Sequence, residues 1–173
     1  PSDYCGVAID CDHLGTGPSP RNSRGHVPRP DRRTEFVIVC RAEDGEPRAG
    51  LGENCRPVPE SSGNSSIREQ IAIPLALKRE GVTLFHAPHY VLPPLVRCRS
   101  VVTIHDVIHL MFPQYLPNRL AFSYAKWSIT QAAQRSTRVM TVSESSKRDI
   151  LRFVDTEPDK IDVIYNAYDE RFA

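Results

Sequence analysis

Four of the six histidines in this chain fall into two short segments, each of which follows an apolar run. His86 and His89 occur in HAPHY, and His105 and His109 occur in HDVIH. An imidazole can bind a metal, move a proton near neutral pH or hydrogen-bond to a ligand. We therefore look for chemistry first in these two segments.

A metal site is one interpretation of the clustered histidines, and the sequence disfavours it. Metal-binding histidine pairs are most persuasive when they lie one turn apart on the same helix. His105 instead follows a strand-like run, and Pro88 makes HAPH an extended or turning segment. We therefore expect no metal ion at these histidines.

Two further interpretations concern Asp106, which comes directly after His105 and just before an apolar segment. In one, His105 and Asp106 form a catalytic loop at a strand end, with Asp106 as a general base. In the other, the Asp106 carboxylate caps the turn that follows and takes no part in chemistry. Its position favours capping.

Strands and helices alternate along the chain and must position these residues. The helix predicted at 118–135 has Leu120, Tyr124 and Trp127 at the spacing of an amphipathic helix. The helix predicted at 65–81 contains Pro74, which we expect to kink or split it. The other elements are strands at 5–10, 35–40, 83–88, 99–106, 138–143 and 160–167, and a helix at 144–154.

This alternation predicts an α/β fold with an open, mostly parallel sheet and helices on both faces. We expect one domain over residues 1–173. The stretches 18–33, rich in proline and arginine, and 41–64, rich in Gly, Pro and Ser, are expected to be irregular loops.

In open α/β sheets, ligands bind beyond the carboxyl ends of the strands. Gly15 and Gly17 follow the first predicted strand and could let backbone amides approach a phosphate, although GTG alone is a weak signal. Ser143 and Glu144 begin a predicted helix. Anion binding and simple helix capping are the alternatives there, and capping is favoured.

Charge and composition exclude several classes of function. The chain has 22 Lys and Arg against 21 Asp and Glu, so no bulk field favours nucleic acid. No apolar stretch reaches the length of about 18 residues that a membrane span needs. Neither GxSxG nor GxxxxGK[ST] occurs, so neither a serine hydrolase nor a P-loop enzyme is supported.

Four segments follow one another in a specific order and spacing: TLFHAPHYVLPP, SVVTIHDVIHLMFPQYLP, RVMTVSESSKRDIL and EPDKIDVIYNAYDERF. In these segments the chain resembles the N-terminal, acceptor-side Rossmann-like domain of family 4 glycosyltransferases. It is most similar to the mannosyl- and rhamnosyltransferase-like enzymes of bacterial polysaccharide biosynthesis. The resemblance is good from about residue 82 to residue 173.

The resemblance implies one half of a two-domain GT-B enzyme that moves a hexose of the mannose, rhamnose or glucose type with retention of configuration. The donor would be a nucleotide-sugar, the acceptor a glycan or lipid-linked sugar, and no metal or other cofactor would be needed. His105 would contact the transferred sugar with Asp106 beside it, and Gly15 and Gly17 would approach the donor phosphates. The substrate contacts expected from the other strand-end loops are His86, His89, Tyr90, Ser143 and Glu144.

The chain ends at Ala173, where family members enter the linker to a donor-binding domain. We therefore expect that domain to be absent and the chain to be inactive alone. The alternatives are a non-catalytic binding module or pseudoenzyme that pairs with a separate donor domain, and a metal-dependent hydrolase that uses the clustered histidines. The expected location is the cytoplasm, at the inner face of the plasma membrane, with peripheral membrane contact and no nucleic-acid partner.

Overall fold

A computed structural model describes residues 5–10, 34–41, 54–60 and 68–166. The chain divides into two compact units. The first contains the described residues up to Pro88 together with Pro93–Ser100. The second contains His89–Leu92 and the described residues from Val101 onward. Both units are built on parallel strands.

The described residues of the first unit form four strands in the order β3-β2-β1-β4. Strand β1 (Cys5–Asp10) pairs in parallel with β2 (Thr34–Arg41) and with β4 (Leu84–Ala87). Strand β3 (Cys55–Glu60) pairs in parallel with β2. These strands confirm the predictions at 5–10, 35–40 and 83–88. Continuous apolar runs are typical of parallel strands covered on both faces.

Strand β3 (Cys55–Glu60) was not predicted, since it lies within the stretch 41–64 that we expected to be loop. The prolines of this segment argue against a strand, because proline is disfavoured inside a sheet. The Phe36 amide donates to the Asn54 carbonyl oxygen at 2.8 Å. Alternate residues of a strand direct their backbone groups toward the same neighbour. The backbone nitrogens of Pro57 and Pro59 therefore point away from β2, and the missing N–H groups cost no hydrogen bond in this pairing.

Helix α1 (Glu69–Arg79) runs through Pro74 without being split, so that part of the prediction is wrong. Beyond its C-cap residue Glu80 comes Gly81, which has a φ of +67° and whose amide donates to the Lys78 carbonyl oxygen at 3.3 Å. The Val82 amide donates to the carbonyl oxygen of Leu77 at 3.0 Å, which completes a Schellman motif.

The second unit has the parallel strand order β5-β6-β7. Strand β5 (Arg99–Thr103) contributes its last three residues to this unit, β6 is Arg138–Thr141 and β7 is Ile161–Val163. The predicted strands at 99–106, 138–143 and 160–167 are confirmed with shorter bounds. The side chains with no exposed surface include Val102, Ile104, Ile129, Val139 and Ile150.

In the described part of the second unit the α-helices are α2 (Ile108–Met111), α3 (Arg119–Arg135) and α4 (Glu144–Phe153). Helix α3 begins where the Asn118 side chain accepts from the Ala121 amide at 2.8 Å. Both long helices therefore form as predicted, and each begins with a side-chain cap.

The buried face of α3 differs from its apolar stripe. Leu120, Tyr124 and Trp127 gave the helix its amphipathic spacing, yet all three side chains are exposed. The buried residues of α3 are Ala125, Ser128, Ile129, Ala132 and Ala133. Small side chains let a helix backbone approach its neighbours closely, so size rather than hydrophobicity selects the buried face here.

Candidate functional site

The carboxyl end of β5 is fixed to β6 by two hydrogen bonds. The Ile104 amide donates to the Met140 carbonyl oxygen at 2.8 Å. The Thr141 hydroxyl donates to the Ile104 carbonyl oxygen at 2.7 Å, and both of these side chains are fully buried. The backbone is therefore held in place immediately before His105.

His105 and Asp106 are exposed directly after this fixed point. Asp106 Oδ1 accepts a hydrogen bond from the Ile108 amide at 3.0 Å, so its carboxylate caps the turn that leads into α2. The hydrogen bond expected of the capping interpretation is therefore present. A catalytic role for His105 and Asp106 stays a prediction. His109 lies within α2.

Tyr90 brings part of the predicted site together. Its ring centroid lies 3.9 Å from that of His89 and 6.4 Å from that of His109, with the second pair edge to face. All three residues belong to the second unit. The segments HAPHY and HDVIH, separate in sequence, are therefore in contact through Tyr90.

The surroundings of Tyr90 keep its hydroxyl protonated. Burial raises the pKa of the Tyr90 hydroxyl, and nearby Tyr124 and Asp106 raise it further, because a tyrosinate is disfavoured in apolar surroundings and beside another negative charge. Tyr90 therefore remains a neutral phenol at neutral pH. We call the group of His89, Tyr90, Asp106, His109 and Tyr124 the strand-end cluster.

The sequence does not predict Tyr124 as a member of the strand-end cluster. The apolar spacing assigned it to the amphipathic stripe of α3, whereas the structure leaves it half-exposed, with its ring 6.3 Å from that of Trp127. A signal was present in the sequence. Ala125, Ser128 and Ala132 mark a second helical face of small residues that competes with the apolar stripe.

Ser143 and Glu144 lie at the start of α4. Ser143 Oγ accepts from the Ser146 amide at 3.0 Å and donates to Ser146 Oγ at 3.0 Å. Thr103 of β5 pairs with Met140 of β6, so this cap and His105 lie at the same sheet edge. Capping by Ser143 is confirmed, and a substrate contact by Ser143 or the exposed Glu144 stays a prediction.

The remaining predicted site residues are His86, Gly15 and Gly17. His86 is a half-buried residue of β4 and belongs to the first unit. Gly15, Gly17 and the tract 18–33 lie outside the described residues. The predicted phosphate contact therefore stays a prediction.

Metal-binding groups and membrane-spanning helices are both absent from the residues that the structure describes. Among them, no three or more His, Cys, Asp or Glu side chains are arranged to hold a metal ion. No helix in this part of the chain combines the length and apolar character needed to cross a bilayer.

A family model described as Glycosyltransferase Family 4 matches residues 30–172 of the chain. The match includes β2 to β7 and every described residue of the strand-end cluster. A search of curated protein sequences finds no significant match.

Solved structures of similar fold come from several bacteria. Sucrose-phosphate synthase from Thermosynechococcus elongatus matches with a TM-score of 0.65 and 10% identity, over 95% of this chain and 48% of that one. A glycosyltransferase from Rickettsia africae matches with a TM-score of 0.56 and 14% identity, over 95% and 44%. HepE from Anabaena, solved in complex with UDP and glucose, matches with a TM-score of 0.54 and 12% identity, over 95% and 45%. The chain thus spans just under half the length of these proteins, which share the GT-B fold.

Proposed function

Since this chain belongs to glycosyltransferase family 4, we propose that it is the acceptor-side, Rossmann-like domain of a retaining hexosyltransferase. The sugar moved is of the mannose, rhamnose or glucose type. It passes from a nucleotide-sugar to a glycan or lipid-linked acceptor in the synthesis of a bacterial surface polysaccharide in the cytoplasm. The observation that carries the proposal is the presentation of His105 at a fixed strand end beside the strand-end cluster.

His105 is suited to hydrogen-bond a sugar hydroxyl because its backbone position is set by its neighbours. Ile104 is held to β6 on both its amide and its carbonyl side. Val107, which is almost fully buried, anchors the chain after the loop. An exposed imidazole between two anchored residues loses little freedom when it binds a ligand, which favours precise positioning.

Tyr90 is suited to the acceptor for a different reason. Its phenol stays protonated and can donate a hydrogen bond, while its ring and those of its neighbours offer apolar faces. Pockets that bind small ligands combine apolar rings with a few polar groups that fix orientation. The strand-end cluster has this composition.

Glycosyl transfer involves two tasks that different parts of the enzyme can perform. The reaction needs the acceptor hydroxyl held in line and the charge of the leaving diphosphate stabilised. The described residues supply groups for the first task. We assign the second to the predicted loop at Gly15 and Gly17 and to a donor-binding domain beyond these 173 residues. HepE, a protein of similar fold solved with UDP and glucose, supports a nucleotide-sugar donor.

Two measurements on the 173-residue chain test this proposal. Incubation with radiolabelled UDP-glucose and GDP-mannose plus lipid-linked acceptors should give no transfer. Saturation-transfer NMR with mannosides, glucosides and rhamnosides should detect binding of at least one class. His105→Ala should weaken that binding, whereas Leu75→Ser, at an exposed position on α1, should leave it unchanged. Efficient transfer by the chain alone, or binding that is indifferent to His105→Ala, would contradict the proposal.

A further inference from the structure

The segment His89–Leu92 belongs to the second unit, although the residues on either side of it belong to the first. It carries His89 and Tyr90 of the strand-end cluster, and a proline stands immediately before and after it in the sequence. The contacts that assign this segment to the second unit are made with residues far away in sequence. Those contacts therefore decide where the two rings lie.

Gln131 of α3 makes a direct hydrogen bond to the end of this segment. Its Nε2 donates to the Leu92 carbonyl oxygen at 2.7 Å, and Leu92 is only 2% exposed. Its Oε1 accepts from Arg135 Nη1 at 2.9 Å, one turn further along the helix. One orientation of the amide satisfies both partners, because a carbonyl oxygen needs a donor and a guanidinium needs an acceptor. The Gln131 side chain is therefore engaged at both of its polar atoms.

Gln131 shares one stripe of α3 with Tyr124 and Ser128, which lie at the four- and three-residue spacing of a helix face. Tyr124 lies close enough to Tyr90 to disfavour its anion, and Gln131 binds Leu92. Ser128, between these two points on the stripe, is only 2% exposed, and a small side chain there leaves room for a neighbouring backbone. The segment therefore meets α3 at two points that are about two helical turns apart.

We propose that Gln131 is a positioning residue: by holding the segment His89–Leu92 against α3 it sets the place of the Tyr90 ring, and through that ring the affinity of the acceptor site. A shielded carbonyl oxygen that loses its donor is unfavourable, so without the Gln131 amide the segment should shift until water or another donor reaches Leu92. The second part of the inference, on affinity, rests on the proposed function. The first part, on the place of Tyr90, does not.

NMR of the 173-residue chain with ring-labelled tyrosine tests the place of Tyr90 without any ligand. Tyr90→Phe identifies the Tyr90 signals among those of the six tyrosines. In Gln131→Met, which keeps the side-chain length but has no donor, cross-peaks between the Tyr90 and His109 rings should weaken. The raised pKa of Tyr90 should also move toward the ordinary value of 10.0, because the ring would be less buried. A general loss of stability that leaves the chain folded would change neither measurement.

Two further variants separate the donor group from the other properties of the side chain. Gln131→Glu keeps an acceptor oxygen but has no donor for the Leu92 carbonyl oxygen at neutral pH, so it should displace Tyr90 as Gln131→Met does. Gln134→Met is the matched control. Gln134 lies on the same helix, and its Nε2 donates to the Asp155 carbonyl oxygen at 3.2 Å, so the loss of that bond should leave Tyr90 where it is.

Titration with methyl mannoside, methyl glucoside and methyl rhamnoside, followed by saturation-transfer NMR, tests the effect on affinity. Gln131→Met should weaken the binding of any of these sugars that binds the unmodified chain by about fivefold, a loss equivalent to one ordinary hydrogen bond. Gln134→Met should leave the binding unchanged.

Tyr90 signals that are the same in Gln131→Met as in the unmodified chain would overturn the proposal, and so would an equal displacement of Tyr90 in Gln134→Met. A displaced Tyr90 with undiminished sugar binding would overturn the part that concerns affinity. If none of the three sugars binds the unmodified chain, the proposed function fails, while the Tyr90 signals still decide whether Gln131 places the segment.

Discussion

Oδ1 of Asp106 accepts a hydrogen bond from the amide of Ile108 at 3.0 Å, two residues further along the chain. One carboxylate oxygen is thus engaged in holding the turn that follows His105. This contact makes Asp106 a residue that fixes the shape of the loop, and it gives the loop a geometry that does not depend on substrate. The consequences of removing the charge and of removing the acceptor atom are therefore different.

Asp106→Ala should lower the free energy of unfolding by about 1 kcal/mol, because the Ile108 amide loses its capping partner. Asp106→Asn keeps an acceptor oxygen and should cost only a few tenths of that. Urea denaturation of both variants measures the difference. Glu157→Ala is the control, since that side chain makes no cap hydrogen bond in the 3₁₀ turn it precedes.

Glycan binding by the same two variants separates capping from chemistry. If the role of Asp106 is to shape the loop, Asp106→Asn should bind the glycan as the unmodified chain does, while Asp106→Ala binds it more weakly. Equal and large losses in both variants would show that the charge itself is needed and would favour the general-base interpretation.

Tyr90 should titrate above the ordinary value of 10.0 for tyrosine, because burial, Tyr124 and Asp106 all disfavour its anion. A pKa that is raised in the folded state stabilises the fold below the unfolded pKa, and this contribution is lost as pH rises through the folded pKa. The free energy of unfolding should therefore fall as pH rises above about 10, and Tyr90→Phe should reduce that fall.

NMR of ring-labelled tyrosine measures the Tyr90 titration directly. Asp106→Asn should move the Tyr90 pKa down by removing one of the nearby charges, without restoring the ordinary value, since burial is the largest cause. A Tyr90 pKa unaffected by Asp106→Asn would mean that the two side chains are not close in solution.

Glu80 is the centre of an ion-pair group in the first unit. Its carboxylate contacts Arg56 at 2.6 Å and Arg79 at 2.8 Å, and these hydrogen bonds lower its pKa from 4.5. A lowered carboxyl pKa stabilises the fold above the unfolded pKa, and this stabilisation is lost as pH falls through the folded pKa.

Glu80→Gln should therefore lower the free energy of unfolding at pH 7 by about 0.5–1 kcal/mol, a modest value because Arg56 is half-exposed. The difference between variant and parent should shrink as pH falls below about 4.5. Glu35→Gln is the matched comparison, since Glu35 pairs with the same arginine at 3.0 Å but is more exposed, so its effect should be smaller. An effect of Glu80→Gln that does not change with pH would rule out the ion pair as its cause.

The parts of the fold that sequence predicts well are those whose signals are local. β5 and β6 are continuous apolar runs, and Asn118 and Ser143 are residue types that cap helices, so these elements form where expected. The strand β3 (Cys55–Glu60) could not be predicted in this way. Its prolines are tolerated because their backbone nitrogens point away from β2, and the sequence does not show that direction.

The candidate site was predictable in part for the same reason. His105 and Asp106 follow a strand, and the rule for strand ends identified them. The contact of Tyr90 with His109 joins segments that no local pattern connects, and the approach of Tyr124 depends on which face α3 buries. Hydrophobic spacing alone predicts that Leu120, Tyr124 and Trp127 form the buried face of α3. In the structure these side chains are exposed and the alanines are buried.

Substitutions that change side-chain size on the two sides of α3 test which side of the helix is buried. Ala132 has no exposed surface, so Ala132→Leu forces extra volume into a packed interior and should lower the free energy of unfolding by about 1–3 kcal/mol. Leu120 is 80% exposed, so Leu120→Ala should change it by less than about 0.5 kcal/mol. Thermal or urea unfolding of the two variants, each compared with the unmodified chain, gives both values. If Leu120→Ala proved the more destabilising, the apolar stripe rather than the small-residue face would be the buried side of α3.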